Sequence, residues 1–303
     1  MSQPFKALII GSGAASIAAA NSIRTNSPDA EITICTREKI RPYYRPAITK
    51  CLSEKCSLDQ NLLRPDKFYE DKRIEVLLGM EAVSVDAAEK SATFADGSKI
   101  PYDKLLLATG ASCFVPPIPG ANLPQVVTLR EKADFDKLHA LLEGGPKKVA
   151  VIGGGLLGLE TAWGVFLLGH EAVVFEALPT ILPRQLDAEC AAALEEAIHK
   201  NSGVMLHKGV KVERITGDGS VEEIQLAGES FPCDIVVISA GIRSNVELGR
   251  GASLAVARAI VADNRMRTSA PDIFAAGDCA EIGGLTEGLW EAAMEQGKTA
   301  GAN

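Results

Sequence analysis

The stretch Val149-Ala-Val-Ile-Gly-Gly-Gly-Leu-Leu-Gly-Leu-Glu160 restricts the fold of this chain more than any other. Val149 to Ile152 read as a buried strand, and Leu156-Leu157 opens a helix that runs toward Leu168 and stops near Gly169. Between them Gly153, Gly155 and Gly158 hold the spacing G-x-G-x-x-G. The first glycine makes a tight turn, the second lets the backbone approach a pyrophosphate, and the third lets the helix settle on the strand. Unpaired N–H groups and the macrodipole at the start of such a helix favour phosphate. Gly153, Gly155, Leu156 and Gly158 are therefore expected to contact a dinucleotide. A second strand, Ala172 to Phe175, ends at Glu176, where an acid would bind a ribose 2′-OH. A membrane span over Val149 to Gly169 is excluded by three consecutive glycines and by Glu160 in mid-segment.

The N-terminus repeats this element. Ala7 to Ile10 is a strand, Gly11-Ser-Gly13-Ala-Ala-Ser16 a glycine turn, Ile17 to Arg24 a helix and Ile32 to Cys35 the next strand. The turns lie 142 residues apart (153 minus 11) and the following strands 140 apart (172 minus 32), the mark of a duplicated βαβ unit. Gly11, Gly13, Ala14 and Ala15 are the matching phosphate contacts. Two dinucleotide sites imply hydride transfer between two dinucleotides. The first copy departs twice: Ser16 replaces the third glycine, and Thr36 stands where Glu176 stands in the second copy, leaving Glu38 as the nearest acid for a ribose.

At 303 residues the chain suits two domains rather than one core. A net charge of -8 argues against non-specific nucleic-acid binding, and no membrane association is expected. The chain enters an apolar strand at Ala7 with no basic n-region or cleavage site, so no secretory signal is expected. Seven scattered cysteines without metal-ligand spacing point to a reducing cytoplasm and to no metal site.

Tyr43-Tyr-Arg-Pro-Ala-Ile-Thr-Lys50 matches the motif Y-x-R-P-x-L-S-K, with Ile48 and Thr49 as conservative departures. On this motif the chain resembles the FAD-dependent pyridine nucleotide-disulfide oxidoreductases, and most the branch of NADH:rubredoxin reductases, the flavin part of nitrite reductases and ferredoxin reductases. The resemblance implies that Arg45 and Lys50 lie beside the flavin ring and that Lys50 pairs with Glu160. It also implies that the backbone near Val83 meets the FAD adenine, and that Ala108-Thr109-Gly110 closes a strand near the flavin dinucleotide. Thr268-Ser-Ala-Pro-Asp-Ile-Phe-Ala-Ala-Gly-Asp278 matches the family's T-x₆-h-h-h-G-D fingerprint, which assigns Gly277 and Asp278 to FAD. Gly241 ends the strand from Asp234 and joins the cofactor-contact set.

The expected architecture is α/β with two Rossmann-like domains. An NAD(P)-binding domain at 113–240 interrupts an FAD domain at 1–112 and 241–303. Relatives carry a further C-terminal interface domain that is missing from this sequence, and a homodimer is expected only with it. The expected function is NAD(P)H-dependent reduction of FAD, with NADH preferred because Glu176 would repel a 2′-phosphate. Arg184 is the nearby cation that could reverse this. Electrons would pass to rubredoxin or ferredoxin, and the basic residues from Arg37 to Lys50 would suit an acidic carrier.

Cys51 and Cys56 have the C-x₄-C spacing of glutathione reductase-like redox disulfides, but lack the glycine-rich flanks and a C-terminal histidine motif. They read as ordinary cysteines. A thiol/disulfide reductase using them is the alternative, and a flavin redox-sensing binding module is a third reading. His139, His170, His199 and His207 lie outside every motif and read as solvated or structural.

Overall fold

In the computed structural model, which describes residues 4–54 and 56–303, the apolar runs form two five-stranded parallel sheets. In chain order the strands are β1 (Lys6–Ile10), β2 (Glu31–Thr36), β3 (Ile74–Leu78), β4 (Lys104–Leu107), β5 (Val126–Val127), β6 (Lys148–Ile152), β7 (Glu171–Glu176), β8 (Met205–Lys208), β9 (Ile235–Ile238) and β10 (Ile273–Ala275). The first sheet has the order β10-β4-β1-β2-β3 and the second β5-β9-β6-β7-β8. The two orders agree position by position. Only the edge strand differs in origin: β10 comes from far downstream of its sheet, and β5 from just upstream of β6.

β1 and β6 share one pattern, an exposed lysine followed by four buried apolar residues. Such continuous runs fit strands covered on both faces. Alternation then sorts the side chains of β1. Ile9 joins Ile32, Ile34 and the alanines of α1 (Ala14–Asn26), while Leu8 and Ile10 join Phe94, Leu105, Leu107 and Ile273. In the second sheet Ala150, Ile152, Val173, Phe175, Val236 and Ile238 pack on Ile215, Val221 and Ile224. Each sheet is accompanied by a three-stranded antiparallel sheet, Ala82–Asp86 with Ser91–Phe94 and Lys99–Pro101 in one case, Arg214–Thr216 with Glu223–Leu226 and Glu229–Pro232 in the other.

The chain forms two compact units. One comprises residues up to Tyr44, Asp59–Ser112 and Ser244–Asn303, and the other Arg45–Leu58 and Cys113–Arg243. The motif segment Arg45–Leu58 thus groups with the second unit, which is otherwise the span read as nicotinamide-binding. It contains α2 (Ala47–Ser53) and is joined there by α3 (Lys132–Leu142), α4 (Leu156–Leu167) and α5 (Ala188–Asn201). The first unit ends in α6 (Trp290–Ala302), which meets α1 at glycines. A side chain at Gly297 would stand 2.1 Å from the Ala15 carbonyl oxygen, and one at Gly301 would stand 2.4 Å from that of Ala19. Among the described residues no helix is long and apolar enough to cross a membrane.

Candidate dinucleotide-binding sites

The second unit builds its glycine turn as the spacing requires. The Gly153 N–H donates to the Phe175 carbonyl at 2.8 Å, and the residue has φ 121°, open to glycine and costly for other residues. A side chain there would also stand 2.3 Å from the Ser239 carbonyl oxygen, and one at Gly158 would stand 2.0 Å from that of Gly153. Gly155 is different. A side chain there would meet nothing within 4 Å, and no side chain caps the start of α4, which opens at Leu156. Open space beside uncapped N–H groups fits a pyrophosphate. Glu176 sits at the same loop: Oε2 accepts from the Gly154 N–H at 2.6 Å and Oε1 from the Leu178 N–H at 2.8 Å. Gly241 (φ 102°) accepts from the Phe114 N–H at 2.8 Å.

The first unit repeats the geometry with other side chains. The Gly11 N–H donates to the Cys35 carbonyl at 2.8 Å, and its φ is 117°. A side chain at Gly11 would strike the Ala108 carbonyl oxygen at 2.1 Å, while at Gly13 there is again nothing within 4 Å, and α1 begins uncapped at Ala14-Ala15. Ser16, the replaced glycine, is fully buried, and its hydroxyl has no hydrogen-bond partner among the described residues. Thr36 takes the structural place of Glu176: its hydroxyl shares a 2.8 Å hydrogen bond with Ser12 in the turn and accepts from the Glu38 N–H at 3.2 Å. The Glu38 carboxylate accepts from the Tyr43 hydroxyl at 2.9 Å.

Ala108 lies against Gly11 at this turn, and Gly277 lies against Ala15 at the start of α1. Asn245 clasps the Ala108-Thr109-Gly110 corner: its Nδ2 donates to the Thr109 carbonyl at 2.8 Å, its N–H to the Gly110 carbonyl at 3.0 Å, and its carbonyl accepts from the Thr109 hydroxyl at 3.0 Å. The Gly277 N–H donates to Gln296 Oε1 on α6 at 2.8 Å, and the Asp278 carbonyl accepts from the Ser244 hydroxyl at 2.6 Å. Val83 is exposed and lies at a register shift between Ala82 and Ser84, where the strand ladder is interrupted. Asn245 and Gln296 escape sequence reasoning. Neither belongs to a motif, and the one available signal is an amide on an otherwise apolar helix face at Gln296, which is nine-tenths buried.

The expected ion pair between Lys50 and Glu160 is not the contact found. Glu160 Oε2 accepts from the Thr49 hydroxyl at 2.7 Å, and Lys50 Nζ lies 3.6 Å from Glu54. The reason is the turn of α2. Successive helical residues point about 100° apart, so when Thr49 and Leu52 face α4, Lys50 points outward toward its i+4 neighbour. Gly164 permits the approach, since a side chain there would stand 3.1 Å from Leu52 Cβ. Arg45 donates to the Arg130 carbonyl at 3.2 Å. Arg184 is exposed.

Cys51 and Cys56, read as ordinary cysteines, are joined in a disulfide with Cα atoms 5.2 Å apart, and Lys55 between them lies outside the described residues. Close spacing on a helix end and the turn after it is enough to bring the sulfurs together. Cys35, Cys113, Cys190, Cys233 and Cys279 are free. Burial pushes the Cys35 and Cys233 thiols up to about 12. Two histidines have structural partners: His170 Nδ1 accepts from the Lys147 N–H at 3.1 Å, and His207 stacks on Phe175 at 5.1 Å.

A family model described as pyridine nucleotide-disulphide oxidoreductase matches residues 5–297. The chain is 34% identical to an NADH oxidase of Methanocaldococcus jannaschii over 98% of this chain and 69% of that protein. It is likewise 34% identical to a rubredoxin-NAD(+) reductase of Pseudomonas putida, over 90% and 71%. The crystal structure of a ferredoxin reductase from Rhodopseudomonas palustris superposes with a TM-score of 0.92 at 32% identity, covering 98% of this chain and 75% of that one. Two matching glycine turns, each with open space for a pyrophosphate, and a family match along nearly the whole sequence lead to one conclusion: the chain belongs to the pyridine nucleotide-disulphide oxidoreductase family, as an NAD(P)H-dependent flavoprotein that binds FAD and NAD(H).

Proposed function

We propose that the first unit holds FAD, that the second holds NADH in preference to NADPH, and that electrons leave to a small carrier protein of the rubredoxin or ferredoxin kind. The observation that carries this reading is the difference between the two turns: the same backbone is braced by the uncharged Thr36 in one and by the carboxylate of Glu176 in the other. FAD, when bound, accepts a hydride from the nicotinamide and releases the electrons to the acceptor. The residues supply position and charge. Gly11, Gly13, Gly153 and Gly155 admit pyrophosphates to backbone N–H groups. Glu176, anchored by two N–H donors, keeps lone pairs for ribose hydroxyls and opposes a 2′-phosphate. Asn245 and Gln296 hold the strand ends at Thr109 and Gly277 in place.

Lys50 and Glu160 act at the flavin in this reading, with Thr49 as the residue that orients Glu160. Their relation is then indirect, through α2, rather than an ion pair. The carrier assignment draws on relatives whose names include rubredoxin-NAD(+) reductase, NADH-rubredoxin oxidoreductase and a putidaredoxin reductase solved with putidaredoxin. A cytoplasmic location accords with the five free cysteines.

The test is acceptor-resolved turnover. The chain is loaded with flavin, the flavin is extracted and compared with FAD and FMN, and NADH oxidation is followed with rubredoxin, ferredoxin or oxygen as acceptor. FAD in the extract and turnover at least about tenfold faster with one of the two carriers than with oxygen are the expected results, about 1.4 kcal/mol of barrier. FMN in the extract, or NADH oxidation that neither carrier accelerates, refutes the reading.

A further inference from the structure

Lys208 ends β8 beside Glu176, and nothing in the site described above uses it. The strand register pairs Glu176 with Lys208 and Phe175 with His207. Side chains alternate along a strand, so Glu176 and Lys208 leave one face of the sheet. Phe175 and His207, whose rings stack at 5.1 Å, leave the other. Paired residues of neighbouring strands stand roughly 5 Å apart, within the span of a flexible lysine stem. The chain after β8 is tied to the same loop. The Val210 N–H donates to the Glu176 carbonyl at 3.1 Å, and the Gly209 N–H to the Leu178 carbonyl at 3.0 Å. The backbone thus fixes Lys208 next to the acid proposed to bind a ribose.

The ammonium itself is held by α5. Lys208 Nζ donates to Glu195 Oε2, in an ion pair whose side chains are 33% and 18% exposed. Glu195 Oε1 is buried and has no hydrogen-bond partner among the described residues. Glu189 and Glu196 of the same helix are exposed to water, whereas Glu195 is largely withdrawn from it. A carboxylate in that position is stable only while its cation stays.

We propose that Glu195 is a second determinant of nucleotide choice. By holding Lys208 it keeps the cation registered with Glu176 away from a 2′-phosphate, and so favours an adenosine whose ribose hydroxyls are both free. The proposal rests on the reading that the second unit binds this ribose at Glu176. A 2′-phosphate entering there meets one carboxylate and, a strand away, an ammonium already neutralised. To bind the phosphate, Lys208 must leave Glu195 and strand a charge that water does not reach well. A solvated phosphate contact does not offset that loss. A free ribose needs only the lone pairs of Glu176 and leaves the ion pair intact. Selectivity then comes from a penalty on the phosphorylated nucleotide, added to repulsion by Glu176.

The experiment titrates adenosine 2′,5′-bisphosphate and 5′-AMP into the flavin-loaded full chain by calorimetry. Glu195→Gln keeps the shape of the side chain and removes its charge. Its affinity for the bisphosphate should rise about tenfold, while that for 5′-AMP stays within about twofold. Adding Lys208→Gln should abolish the gain, which assigns it to Lys208 rather than to Arg184. Glu195→Ala, with a good helix former, should show the same gain and serves if Glu195→Gln folds poorly. A bisphosphate affinity unmoved in both variants, a gain shared equally by 5′-AMP, or a gain that survives Lys208→Gln overturns the proposal. With 5′-AMP bound in each of these cases, the ribose reading at Glu176 stands. Failure of 5′-AMP to bind the unsubstituted chain overturns that reading and the proposal together.

Discussion

Glu176 and Thr36 occupy equivalent places, so exchanging one for the other asks what a single carboxylate contributes. Glu176→Thr keeps a hydroxyl to brace the turn but removes the charge proposed to oppose a 2′-phosphate. Its expected effect is to narrow the NADH-over-NADPH preference by about tenfold, ~1.4 kcal/mol, with unchanged flavin content. Comparing kcat/KM for both nucleotides checks it, and an unaltered preference removes Glu176 from the specificity argument. The thiols make a second prediction. With Cys35 and Cys233 pushed up to about 12 by burial, iodoacetamide at pH 8 should label the exposed Cys190 well before either. The sign of their effect on stability follows. Unfolding returns each thiol to its ordinary value near 9, so their contribution is intact below pH 9 and is lost as pH rises toward 12. Peptide mapping and alkaline melts measure the two effects. At this scale the sequence was legible where backbone geometry leaves few options, as at Gly11 and Gly153. It was least legible at Lys50, because a motif says which residues lie on α2 but not which of two neighbours the helix turns inward.

Between elements, the α1–α6 contact depends on absent side chains. Gly297→Ala would drive a methyl group against the Ala15 backbone, and overpacking of this kind costs about 1–3 kcal/mol. That exceeds the roughly 1 kcal/mol that alanine gains over glycine in a helix, so the melting temperature should fall. Gly164→Ala meets Leu52 Cβ at 3.1 Å and the Thr49 carbonyl oxygen at 3.4 Å, against 2.1 Å for the carbonyl at Gly297, and should cost less. Thermal melts of both variants give the order, and a stabilised Gly297→Ala would show that the two helices can separate freely. The elements that could be read in advance were those with a strong period or a glycine boundary, such as β6, α4, β7 and β4. α3 went unread although Phe135, Leu138 and Leu142 mark its buried face and Glu131 with Asp134 forms its capping box. β5 has only Val126 and Val127, too short for any alternation to show.

For the molecule as a whole, duplication should make the two sites separable. Gly13 and Gly155 have φ of -82° and -77°, values any residue adopts, and a side chain at either meets nothing. Gly13→Val should therefore fold but lower flavin retention at least about tenfold, and Gly155→Val should do the same to NADH affinity alone. Flavin absorbance per chain and NADH titration separate the outcomes, and a double loss from either substitution would contradict independent sites. The edge strands carry a consequence of another kind, in the order in which a ribosome delivers the parts. The second unit has emerged in full once Arg243 is made, with all its strands from β5 to β9. The first sheet must still await β10, and the amide that holds Gly277 arrives only with Gln296 on α6. During synthesis the second unit can mature while β1 to β4 stand with an open edge. If the first unit is the flavin-binding one, as proposed, flavin capture waits until Gln296 has been made, after the second unit is complete.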